Sequence, residues 1–188
     1  MNRSRIMLAL STAALLALPA CEKAEPGNPA AAAENGGKEG TATTIAASLP
    51  KDSRFMAAAK AAGIDATLAG PGPYTVLVPD DAAFNKLPAG TFDNWLKPEA
   101  RPELSGVLTY HVLPGTVLAA DIGKAIDAGK GKAQLATMGG EVLTATKDGG
   151  KIVLTDTAGN KASIVGNEET RSNGVVHRID GVLTPRKA

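Results

Sequence analysis

The chain has 188 residues, with 20 basic and 19 acidic side chains and a formal net charge of +1. That balance argues against nucleic acid as a partner, because no excess of positive charge is available to neutralise phosphates. One Cys excludes an internal disulfide framework and a Cys-rich metal centre, and two His make a His-based zinc site hard to build. An apolar content of 44% excludes a fully disordered chain.

The N-terminus reads as an address. Arg3 and Arg5 precede residues 6–20, which carry no charge and are largely apolar. A basic start followed by a short apolar run is the pattern of a secretory signal peptide. A membrane-spanning helix needs roughly 20 apolar residues. The only Cys follows in Leu18-Pro19-Ala20-Cys21. This resembles a bacterial lipobox, which implies that Cys21 is lipidated and becomes the new N-terminus. The alternative is an ordinary secreted protein with a free Cys. Buried acyl methylenes contribute about 0.8 kcal/mol each, so several chains hold a protein on a bilayer without spanning it. Loss of residues 1–20 lowers the basic count by two, from 20 to 18, against an unchanged 19 acids.

Residues 22–41 contain no Val, Ile, Leu or aromatic side chain. Such a stretch cannot bury enough surface to offset its ordering entropy. As a flexible coil it spans roughly 25 Å on average and about 70 Å at full stretch. The expected organisation is a signal peptide over 1–20, lipidated Cys21 and a flexible linker over 21–41, and one folded domain over 42–188.

Within that domain the first half reads as helical with one strand. Asp52 or Ser53 is placed to cap a helix with Phe55, Met56, Ala59 and Ala62 on one face, stopped by Gly63. The turn-forming 70–73 segment precedes a β-rich run over 74–78, bounded by Pro79. Asp80 is a natural cap for a short helix carrying Ala83, Phe84 and Leu87, and Thr91 for another carrying Phe92, Trp95 and Leu96. A longer helix follows Pro102, with Leu104, Val107, Leu108 and His111 at helical spacing. Ile122, Ala125 and Ile126 mark another, ending near Gly129.

The second half reads as strands over 132–137, 141–146, 151–155 and 162–166, separated by Gly-rich turns. A last run over 174–184 sets Val175, His177 and Ile179 on one face and Val176, Arg178 and Asp180 on the other. All six aromatics lie between Phe55 and Tyr110, so the meander has only aliphatic side chains for the core. Helices first and strands after predict an α+β fold with a largely antiparallel sheet.

Three segments carry a family resemblance. They are Gly70-Pro-Gly-Pro-Tyr-Thr-Val-Leu-Val-Pro-Asp-Asp-Ala-Ala-Phe84, then Leu108-Thr-Tyr-His-Val-Leu-Pro-Gly115, then Asn173-Gly-Val-Val-His-Arg-Ile-Asp-Gly-Val-Leu-Thr-Pro185. In this order and spacing they resemble the fasciclin-like domain over nearly all of 42–188. The resemblance implies an antiparallel β wedge or incomplete barrel with helices packed around it. It also implies adhesion or binding to proteins and matrix, without catalysis. Some animal members carry an Asp-Ile pair, linked to integrin binding, just before the third motif. Here those positions are Glu168-Glu169, so the resemblance brings no integrin binding to this chain.

The candidate site residues follow. Tyr110-His111 matches the family's Tyr-His pair, which has been proposed for adhesion; the helical spacing of His111 with Leu104 and Leu108 points equally to a packed, hydrogen-bonded pair. Glu168, Glu169 and Arg171 form a charged segment, read as a loop that is either solvated or a binding surface. Asp80 and Asp81 suit helix capping better than a cation site, since no spaced acidic loop surrounds them. Only His111 and His177 are available as a general base and no Gly-x-Ser-x-Gly turn is present, so no catalytic set can be named. No cofactor and no metal are expected.

The leading functional expectation is a lipid-anchored adhesion or interaction module, facing the periplasm or the exterior, that binds protein, matrix or polysaccharide. Two others stand beside it. One is a periplasmic carrier of small apolar ligands, from the aliphatic strand half. The other is an envelope structural protein without a specific ligand.

Overall fold

The computed structural model describes residues 43–186. The expected signal peptide, Cys21 and the expected linker lie outside the described residues.

The helical half opens with α1 (Ile45–Ser48), capped by Thr44, and α2 (Arg54–Ala62). The Ser53 hydroxyl accepts the Met56 N–H at 3.3 Å, so Ser53 rather than Asp52 is the cap. Gly63 ends α2 in the left-handed region at φ 78°, where a side chain would be strained. A short α3 (Asp65–Ala69) leads into β1 (Tyr74–Pro79). Asp80 caps α4 (Asp81–Phe84), with Oδ1 accepting the Ala83 N–H at 2.6 Å. The next helix, α5 (Thr91–Trp95), is entered through Gly90 at φ 78°; Thr91 is its first residue and does not cap it. A 3-10 turn (Pro98–Ala100) then runs into α6 (Arg101–Tyr110), with Pro102 in its first turn.

The strand half begins with the short β2 (Val112–Pro114), followed by α7 (Ala119–Ala128). Then come β3 (Lys132–Ala136), β4 (Val142–Asp148), β5 (Lys151–Thr155), β6 (Lys161–Arg171) and β7 (Gly174–Ile179). The sheet order is β2-β1-β7-β6-β5-β4-β3. Its two ends approach each other where the Met138 N–H donates to Val112 O at 2.7 Å and the Gly139 N–H to Thr109 O at 3.1 Å. The result is a nearly closed, barrel-like sheet with helices around it, the α+β arrangement expected.

Every sheet pairing is antiparallel except one. β1 runs parallel to β7, with Val76 opposite Val176 and Leu77 opposite His177. These two central strands are buried on both faces, so β1 reads as a continuous apolar run rather than an alternating one. Val76, Val78 and Val176 point into a helical core built around Phe55, Leu68 and Leu104. Leu77 and Ile179 point the other way, into a barrel core with Ile122, Leu143 and Leu154. Tyr110 is the one aromatic buried in the barrel core; the remainder is aliphatic, as the aromatic distribution dictates.

Candidate functional site

Tyr110 and His111 sit where α6 ends and β2 begins, and both are buried. Tyr110 donates from its hydroxyl to Val142 O at 3.2 Å and accepts the Thr157 N–H at 3.3 Å, linking α6 to β4 and to the turn after β5. Burial pushes its pKa up, so the phenol stays protonated. His111 is the C-cap residue of α6. Its Nδ1 lies 2.8 Å from Val107 O, and its Nε2 accepts the Leu183 N–H at 3.1 Å. Nε2 therefore carries the lone pair and Nδ1 the proton. Burial lowers the His111 pKa from 6.5 to about 4. The ring is neutral and has no free lone pair for proton transfer.

His177, on β7, is fully buried, and its Nε2 lies 2.8 Å from Val117 O. Both histidines are thus buried within the fold.

The charged segment Glu168, Glu169 and Arg171 is not a loop: it is the end of β6, which runs five residues beyond the apolar stretch that marks it in the sequence. A bulge between Val165 and Glu169, opened by Gly166 at φ 71°, re-aims the strand so that its polar end continues to pair with β7. Glu168 Oε2 accepts the Ala119 N–H at 2.8 Å, supplying from across the fold the N-terminal cap that Leu118 cannot give α7. Glu169 is held between Arg171 and Arg178, the latter at 3.3 Å.

A third feature is marked by no motif in the sequence. A cleft of about 730 Å³ lies between the helices α4 to α6 and the chain after β7. Leu87, Trp95 and Val107 form its helical wall, and Val182 and Pro185 face them. Lys86, Lys161 and Arg186 lie at its rim. The far wall is pinned by Asp156, whose carboxylate accepts the Asn160 N–H at 2.7 Å and the Thr184 N–H at 2.9 Å. The cleft is assembled from two separate stretches, residues 83–107 and residues 158–186, so no local pattern announces it. The only local signal is Gly106, a glycine in the interior of α6 where a Cβ would meet nothing within 4 Å.

Among the described residues no group of three or more His, Cys, Asp or Glu is placed to hold a metal ion. None of the described helices is long and apolar enough to cross a membrane.

Comparison with known proteins places this architecture. The family model of the fasciclin domain matches residues 50–185. The chain is 37% identical over 145 residues to protein sll1483 of Synechocystis, covering 77% of this chain and 73% of that protein. It is 37% identical over 114 residues to the cell surface glycolipoprotein MPB83 of Mycobacterium bovis, covering 61% of this chain and 44% of that one. The fold is similar to that of a FAS1 domain pair from the insect cell adhesion molecule Fasciclin I, with a TM-score of 0.63 and 18% identity. That match covers 75% of this chain and 50% of the pair. With its three motifs, its nearly closed sheet and the match over 50–185, the chain belongs to the fasciclin domain family.

Proposed function

We propose that this chain is a lipid-anchored interaction module of the bacterial cell envelope. Residues 1–20 direct export, Cys21 carries the lipid, residues 22–41 are a leash, and the domain over 42–188 binds a protein, matrix or polysaccharide partner without catalysis. The observation that carries this reading is the order of parts: an uncharged segment ending at the only Cys, a stretch without large apolar side chains, then a fasciclin domain. A similar protein that is itself a cell surface glycolipoprotein supports the location, and a structural relative from a cell adhesion molecule accords with the role.

Tyr110 and His111 serve inside the domain, as a brace between α6, β4 and the segment after β7. The polar end of β6, with Glu168, Glu169 and Arg171, is the face offered to a partner.

The test is attachment of cells carrying the full chain to immobilised envelope and matrix fractions, against cells whose chain lacks 42–188 but keeps the anchor. Selective retention of the full-chain cells on one fraction is expected. Equal retention of both overturns the reading.

A further inference from the structure

The cleft between the helices and the chain after β7 has the chemistry of an amphiphile site. Its walls are apolar, with Leu87, Trp95 and Val107 facing Val182, and its volume of about 730 Å³ falls in the range of small-molecule pockets. Its charge is one-sided. Lys86 starts on the helical wall, but its ammonium crosses to donate to Asp180 O. Lys161 belongs to β6 and lines the cleft from that side. Arg186 donates from its guanidinium to Thr157 O at 3.0 Å. Lys86 and Arg186 thus bond to the strand side, from which Lys161 also lines the cleft, and none of the three joins the ion pairs seen among the described residues. Of the residues lining the cleft, the acid is Glu103, on the helical wall, where it accepts from Trp95 Nε1 at 3.4 Å; the Asp156 carboxylate behind the strand side is taken up by Asn160 and Thr184, and that of Asp180 accepts the Ser163 N–H.

Gly106 adds an independent observation. Glycine in a helix interior is unfavourable relative to alanine. No close neighbour demands it, because a Cβ there would enter open space. What the glycine does instead is keep the helical wall of the cleft recessed.

We infer that this cleft binds a single-chain amphiphile with a carboxylate head, a long-chain fatty acid, its tail along Trp95 and Val107 and its head between Lys161 and Arg186. The site is separate from the polar end of β6 and goes beyond a role in adhesion. It also differs from a carrier site within the aliphatic strand half, whose interior is filled by the barrel core.

Trp95 is the only tryptophan in the chain, so its fluorescence reports the cleft alone. The probe is dodecanoate, titrated into the full chain carrying Cys21→Ser, which takes up no acyl chains of its own. A saturable change in Trp95 emission is expected, with no such change for dodecyltrimethylammonium. Lys161→Glu with Arg186→Glu should weaken dodecanoate about ten-fold. Gly106→Phe should abolish binding by filling the cleft while leaving the far-ultraviolet circular dichroism unchanged; Gly106→Leu serves in its place if that spectrum is lost. Four outcomes overturn the inference: no saturable response, equal binding of the cationic amphiphile, undiminished binding by the charge-reversed chain, or binding of dodecyl phosphate or a free-carboxylate peptide in preference to dodecanoate.

Discussion

The backbone N–H of Leu183 donates to Nε2 of His111 across 3.1 Å, joining the end of α6 to the segment that leaves β7. The bond needs the imidazole lone pair, so it exists only while the ring is neutral. Protonation would set two donors face to face inside a buried pocket.

This gives stability a defined pH dependence. Burial holds the His111 pKa at about 4 in the folded chain, against 6.5 when exposed. Between those values the unfolded chain takes up a proton that the folded chain refuses. The contribution of His111 is whole above pH 6.5 and is lost as pH falls towards 4, by about 3 kcal/mol. Denaturant melts from pH 7.5 to 4 should show this fall, and a His111→Gln chain should show a shallower one. Equal slopes would mean that other groups carry the whole acid response.

Asn173 ties the two halves of the domain together. Its Nδ2 donates to Leu68 O at 2.9 Å and Gly70 O at 2.8 Å, and its Oδ1 accepts the Ile45 N–H at 2.8 Å. Asn173→Ala removes the partner of these three backbone groups, two of them buried, at a cost of about 3 kcal/mol. A chemical melt checks it; a loss below about 1 kcal/mol would mean that water replaces the amide.

Phe84 is buried against the helical core and meets the Phe92 ring edge-on at 5.1 Å between centroids. Phe84→Ala should destabilise the fold by about 3–5 kcal/mol, read from a shift in denaturant midpoint. A shift within error would show that neighbouring groups collapse into the space.

Cys21→Ser removes the proposed site of acylation. The chain should move from the membrane fraction to the soluble fraction when cells are fractionated. Unchanged membrane association refutes the lipid anchor.

Local grammar made most elements readable in the sequence. Ser53 and Gly63 bracket α2, Asp80 caps α4, and the Gly-rich turns separate β3, β4 and β5. What escaped was set by distant partners. The short α1 and α3 lack a full helical repeat and are held through Asn173, more than 100 residues away. The polar end of β6 has no strand pattern, because its side chains cap α7 and pair with Arg178 rather than fill a core. The burial of His111 followed from its helical spacing, but its partner Leu183 did not. The cleft was invisible for the same reason: its walls meet only after folding.

The parallel pairing of β1 with β7 also sets a timetable. Val76 and Val176 are neighbours in the sheet, so the strand at the centre of the helical core lacks its principal partner until the last part of the chain is available. Closing so long a loop must precede any gain from the contacts it makes, which makes the step slow. A nascent chain that ends before residue 174 exposes Val76, Val78 and the helical core around them. The helical half of this domain is therefore a dependent of its last strand: a chain cut short of β7 leaves apolar side chains of that half without their partner strand, the kind of exposed surface that promotes aggregation.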